Sequence, residues 1–168
     1  MTLDHLNSLS QADFTAALAG IFEHSPWIPE ATWARRPFAS VDELHAALCT
    51  TLAAADPAAK LALIRAHPEL AGKLAIRGEL TDASLREQAG AGLNQCSPEE
   101  FSRLTELNAA YIARFGFPFS LAVRGHDRGS IIANMTARVG NEREVEIATA
   151  LAQIERIAGF RLRDLVGA

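Results

Sequence analysis

The stretch "NEREVEIATALAQIERIAGFRLRDLV", residues 141–166, decides the fold. Val145, Ile147, Ala148, Leu151, Ile154, Ile157 and Leu162 recur in it at helical spacing, with polar residues between them. One apolar stripe on a polar cylinder is what a core-facing α-helix needs. Nothing elsewhere in the chain reads as a strand: no sustained run of β-branched or aromatic residues has period two, and Ala and Leu dominate instead.

Upstream, helix starts are written repeatedly. Ser10 caps a helix expected over about 11–20, with Gly20 near its end. "SVDE" at 40–43 is a capping box, Ser40 as cap and Glu43 three residues on, opening an apolar run to about Ala55. Asp56 and Pro57 start another helix, which must stop near His67 because Pro68 disfavours the α region for the residue before it. "SPEE" at 97–100 repeats the pattern, and Leu104, Leu107, Ala110, Tyr111 and Phe115 follow at helical spacing to Gly116. The expectation is an all-α chain, a compact single-domain bundle of about seven to eight helices covering residues 1–168.

Composition narrows the function. With 168 residues, 49% hydrophobic, the chain can bury a core. A net charge of -4 with scattered basic residues gives no phosphate-binding face, so no nucleic-acid partner is expected. A small anionic ligand needs only one or two placed cations and stays open. Two cysteines, Cys49 and Cys96, make neither a disulfide framework nor a thiolate zinc site. Cys49, inside an apolar run, reads as a small core residue. No apolar stretch approaches the ~20 residues that span a bilayer. The N-terminus lacks the pattern of a secretory signal, so the setting expected is cytoplasmic, without a membrane partner.

Three segments interrupt the helical pattern. "AHPEL" (66–70) sets His67 directly before Pro68. "GELTDASLREQAGAGL" (78–93) has a helix start at Thr81–Asp82 and puts Ser84, Glu87 and Gln88 on one face. "FGFPFSLAVRG" (115–125) carries three phenylalanines in its first five residues. Each has a plain scaffold reading: a histidine cap on a helix dipole, a solvated helix face, an aromatic plug in the core. The third is the hardest to leave there, since non-helical backbone pressed into a core needs hydrogen-bond partners, and a polar ligand can supply them.

Taken together, these segments resemble the 2-oxo-4-hydroxy-4-carboxy-5-ureidoimidazoline (OHCU) decarboxylases, which form (S)-allantoin at the last step from urate. The resemblance runs from "FEHSPWIPE" (22–30) through "AHPELAGK", "S-x-x-EQ-x-x-AGL" (84–93) and "FGFPF" to "IERIAGFRLRDLV" (154–166). It implies an all-α carboxy-lyase, often a homodimer, using no metal and no organic cofactor on a small anionic substrate. It implies catalytic roles for His67 and Glu87. It implies substrate contacts from Pro68, Ser84, Gln88 and Arg161, with Arg163 facing outward. Backbone amides from Phe119 through Ser120, Leu121 and Ala122 to Val123 are implied to hold carbonyl oxygens. Ser120 stands where the family more usually has an apolar β-branched residue, and "VRGHDRGS" (123–130) also departs from the commoner pattern.

These residue types suit that chemistry. An imidazole with an ordinary pKa near 6.5 exchanges a proton at neutral pH. Gln88 can donate and accept at once, as a ureido group requires. Arg161 offers a planar fork to paired anionic oxygens. The alternative from another class is a noncatalytic all-α ligand-binding or interaction protein, with His67 a cap and Arg161 paired to an acid such as Asp164. Metal-dependent hydrolysis lacks its motif, because His5, His24, His45, His67 and His126 show no ligand spacing.

Overall fold

Side-chain caps begin most of the helices, five of them at positions expected. The computed structural model describes residues 1–71 and 80–167, and among them every regular element is helical. Nine α-helices follow in order: α1 (Leu3–Ser8), α2 (Gln11–Ala17), α3 (Trp27–Thr32), α4 (Val41–Ala53), α5 (Pro57–Ala66), α6 (Asp82–Gly90), α7 (Pro98–Phe115), α8 (Arg128–Arg138) and α9 (Arg143–Val166). Short 3-10 turns lie at Trp33–Arg35 and Leu93–Gln95. Among the described residues α1 and α3 have only six residues each, too few to leave a periodic trace, and the other seven fit the bundle of about seven to eight expected. α2 is capped by Ser10 but stops at Ala17, short of Gly20.

The capping chemistry is specific. Ser40 Oγ accepts from the Glu43 amide at 3.0 Å, while the Glu43 carboxylate reaches past the cap to the Ala39 amide at 2.7 Å. Asp56 accepts from the Ala59 amide, so α5 starts at Pro57 as read. α7 opens on a full capping box: Ser97 Oγ takes the Glu100 amide and Glu100 takes the Ser97 amide. It closes on Gly116 at φ 78°, a left-handed position glycine accepts without steric cost.

Glu100 also meets Arg128 Nε at 2.8 Å. The Ser97 amide, with help from Arg128, holds its carboxyl below the ordinary value. A lowered pKa adds stability that is full above the ordinary carboxylate range and lost as pH falls through the lowered value. Glu100→Gln is therefore expected to flatten part of the acid limb of the stability curve. Urea unfolding across the acid range checks it, and identical limbs in parent and variant would contradict it.

Two compact units divide the chain. The first comprises Met1–Ala66 and Ile154–Ala168. Its core holds Leu6, Phe14, Leu18, Ile28, Leu44, Leu48 and Ile64, all fully buried, each worth ~1.5–3 kcal/mol against exposure. The side-chain amide of Asn7 pairs with both backbone groups of Phe38, at 2.9 Å each, fixing the α1 end to the segment before α4. Gly159 lets α9 lie close to α4: a Cβ there would come within 3.1 Å of the His45 ring. That ring bonds the Glu155 carbonyl at 2.8 Å and stands 3.4 Å from Cys49 Sγ. Cys49 is half-buried rather than a full core residue, and desolvation pushes its thiol up to about 12.

The second unit is His67–Gln153. Tyr111 is its aromatic centre, with ring centroids of Phe115, Phe117 and Phe119 at 4.6, 5.9 and 5.3 Å. "FGFPF" thus wraps one tyrosine, which explains three phenylalanines so close together. The tyrosine hydroxyl donates to Glu146, which is fully buried. Arg138 Nε meets the same carboxylate at 2.9 Å, Asn141 adds a bond to its other oxygen, and the guanidinium lies 4.3 Å from the Phe119 ring centroid. A buried charge survives only when paired and hydrogen-bonded, and this one has both.

Candidate active site

His67 follows α5 at once, half-buried, and Pro68 behind it is buried. The turn that follows is unusual. Ala71 has φ 50°, a left-handed conformation that costs a residue with a Cβ. Two side-chain amides hold this turn. Gln88 Oε1 accepts from the Ala71 amide at 2.9 Å and Gln88 Nε2 donates to the Glu69 carbonyl at 3.2 Å. Asn108 Nδ2, from α7, donates to the intervening Leu70 carbonyl at 2.8 Å. Gly72, Lys73, Gly78 and Glu79, the remaining parts of the two flanking motifs, lie outside the described residues.

α6 starts on Thr81, whose hydroxyl accepts from the Ser84 amide. Ser84 and Gln88 are buried at 3% and 6% exposure, so this is not the solvated face of the plain reading. Glu87, one residue before Gln88, is half-buried. The structure thus ties the His67 turn to the helix that carries Glu87, through the neighbour of Glu87. Both ends of the Gln88 amide, from which a substrate contact is expected, bond backbone in this turn.

Phe119 through Val123 run without helix or strand and are all buried. Arg138 Nη1 donates to the Ser120 carbonyl at 2.8 Å, and Gln153 Oε1 accepts from the Ala122 amide at 3.0 Å. Of the amides expected to face a ligand, that of Ala122 is therefore already engaged. Ser120 Oγ is buried and has no hydrogen-bond partner among the described residues. Beside the turn at Ala71, a cavity of about 520 Å³ is lined by Ala71, Gln88, Leu93, Cys96 and Phe101 among others, with neither His67 nor Glu87 in its wall.

Arg161 belongs to the first unit. It is buried, meets Glu23 at 3.0 Å and donates to the Gly20 carbonyl at 3.2 Å. Arg163 is exposed and pairs with Asp42 at the surface, the outward position expected of it. Sequence reading passed over Glu23, Asn108, Arg138 and Glu146. Only Asn108 leaves a local signal, as a polar residue among Leu104, Leu107 and Tyr111 on a buried stripe.

Set beside known sequences, the chain falls among the carboxy-lyases. It belongs to the OHCU decarboxylase family, whose profile matches residues 7–163. The chain is 40% identical to the 2-oxo-4-hydroxy-4-carboxy-5-ureidoimidazoline decarboxylase of Haloferax volcanii, covering 98% of this chain and 95% of that protein. It is 42% identical to the uric acid degradation bifunctional protein PucL of Bacillus subtilis, over 98% of this chain but only 33% of that longer protein. Among solved structures it resembles an (S)-allantoin synthase, with TM-score 0.76 and 31% identity, covering 99% of this chain and 54% of that one.

Proposed function

We propose that the chain decarboxylates 2-oxo-4-hydroxy-4-carboxy-5-ureidoimidazoline to (S)-allantoin in urate degradation. The observation that carries this reading is the family match over residues 7–163, a span that includes His67, Glu87 and Arg161. That span includes most of both compact units, which supports treating them as one functional domain.

Loss of CO₂ leaves an electron pair on the ring carbon that carried the carboxylate. The pair moves into the bond to the neighbouring carbon, and the adjacent C=N draws charge onto its nitrogen, so the substrate is its own electron sink. The protein must orient the leaving carboxylate against the ring π-system and stabilise the charge as it moves. A proton then enters at the ureido-bearing carbon, the hydroxyl gives up its proton as its oxygen becomes the product carbonyl, and the ring nitrogen takes one; the face protonated at carbon fixes the (S) product. In this proposal His67 moves that proton, and Glu87 orients His67 and bonds the substrate hydroxyl. Arg161 binds the anionic oxygens. The buried Ser120 hydroxyl, without a partner among the described residues, adds a polar contact where an apolar residue is more usual.

A homodimer in the cytoplasm completes the reading; no single helix among the described residues is long and apolar enough to cross a membrane. The test generates the substrate in situ from urate with the two preceding enzymes and follows allantoin by circular dichroism. Rapid (S)-allantoin supports the proposal. A racemic signal at the uncatalysed rate would move the chain to the binding-protein reading.

A further inference from the structure

We infer that Asn108, together with Gln88, positions His67 by holding the turn Glu69–Ala71. The inference rests on the reading above for its kinetic readout only. One backbone group on each of the three residues after Pro68 is held by a side-chain amide: the Glu69 carbonyl and Ala71 amide by Gln88, the Leu70 carbonyl by Asn108. The two amides come from different helices, α6 and α7, and both residues are buried at 6% exposure. Ala71 sits at φ 50°, so the turn is held in a conformation that alanine does not favour by itself. Strain of this kind persists only where its surroundings over-determine it, and three hydrogen bonds across three residues do so.

The functional consequence follows from adjacency. Pro68 has a fixed φ and is buried, leaving little slack between the clamped turn and the His67 Cα. Gln88 is also the residue after Glu87, so one hydrogen-bonded unit sets the imidazole-bearing turn against the carboxylate-bearing helix. A misplacement of about 1 Å in reacting groups can lower a rate ~10²-fold. The clamp should therefore govern turnover rather than affinity.

The test compares Asn108→Leu, close in size but with no donor for the Leu70 carbonyl, with the parent. The expected result is a kcat at least ~10-fold lower with KM little changed, and a shifted His67 ring signal in long-range ¹H–¹⁵N spectra. Adding Ala71→Gly should restore several-fold of the lost kcat, because glycine enters the left-handed region without the Cβ clash. If Asn108→Leu does not fold, Asn108→Asp substitutes for it: the shape is kept, but a carboxylate oxygen opposes the Leu70 carbonyl with no proton to give. A folded variant with unchanged kcat and an unchanged His67 signal overturns the clamp. Should the parent lack decarboxylase activity, the proposed function fails, while the ring signal and the Ala71 amide exchange rate still decide the clamp.

Discussion

His67→Asn is expected to lower turnover of the urate-derived substrate by ~10²–10⁴-fold, with KM moving far less. Asparagine keeps a polar side chain of similar reach but cannot exchange a proton near neutral pH. The substitution leaves the clamp in place, since the side-chain amides of Gln88 and Asn108 hold residues 69–71 and not the histidine itself. Any loss of stability should stay near the ~1 kcal/mol typical of a point substitution. Steady-state circular dichroism of allantoin formation, with thermal unfolding beside it, separates the two effects. Full turnover with weakened binding would remove His67 from the proton chemistry and leave it a contact residue.

The largest loss of stability should come from Glu146→Leu. Glu146 is fully buried and accepts from Tyr111, Arg138 and Asn141. Leucine removes the carboxylate and leaves Arg138, 7% exposed, as an unpaired buried charge. Breaking a buried pair from one side costs ~3–5 kcal/mol, and at ~2–4 °C per kcal/mol for a chain of this size Tm should fall by roughly 6–20 °C. The double variant Arg138→Met with Glu146→Leu should regain most of that, because no charge is stranded. Its activity should not recover in step, since the thioether that replaces the guanidinium cannot donate to the Ser120 carbonyl as Arg138 does. If the double variant were as unstable as the single one, packing and not charge would be the cause.

Much of this was legible in the sequence, for local reasons. Ser40, Asp56, Ser97 and Thr81 announced four helix starts because a cap acts on backbone only three residues away. The Pro68 restriction ended α5 at Ala66 for the same reason. α8 went unmarked: its box pairs Asp127 with Ser130, where the usual signature has glutamate or glutamine at the second place. The candidate site was legible as motifs but not as bonding. The hydrogen bonds of Gln88 span 17 and 19 residues, and that of Asn108 spans 38, so no periodicity could show that these amides serve a turn. The Arg161 partner, Glu23, stood in plain view within "FEHSPWIPE", but a contact between residues 23 and 161 is written only in the folded chain.

The two thiols differ in a way that gives the protein a ready optical handle. Burial pushes the Cys49 thiol up to about 12, so it should react slowly with maleimides and iodoacetamides; burial and Glu100 raise the Cys96 thiol as well, with Arg128 opposing. Cys96, also free, lines the cavity that Ala71 and Gln88 border. A fluorophore attached there would sit against the clamped turn without any engineered cysteine, and its emission would report in real time whether that turn shifts when substrate arrives.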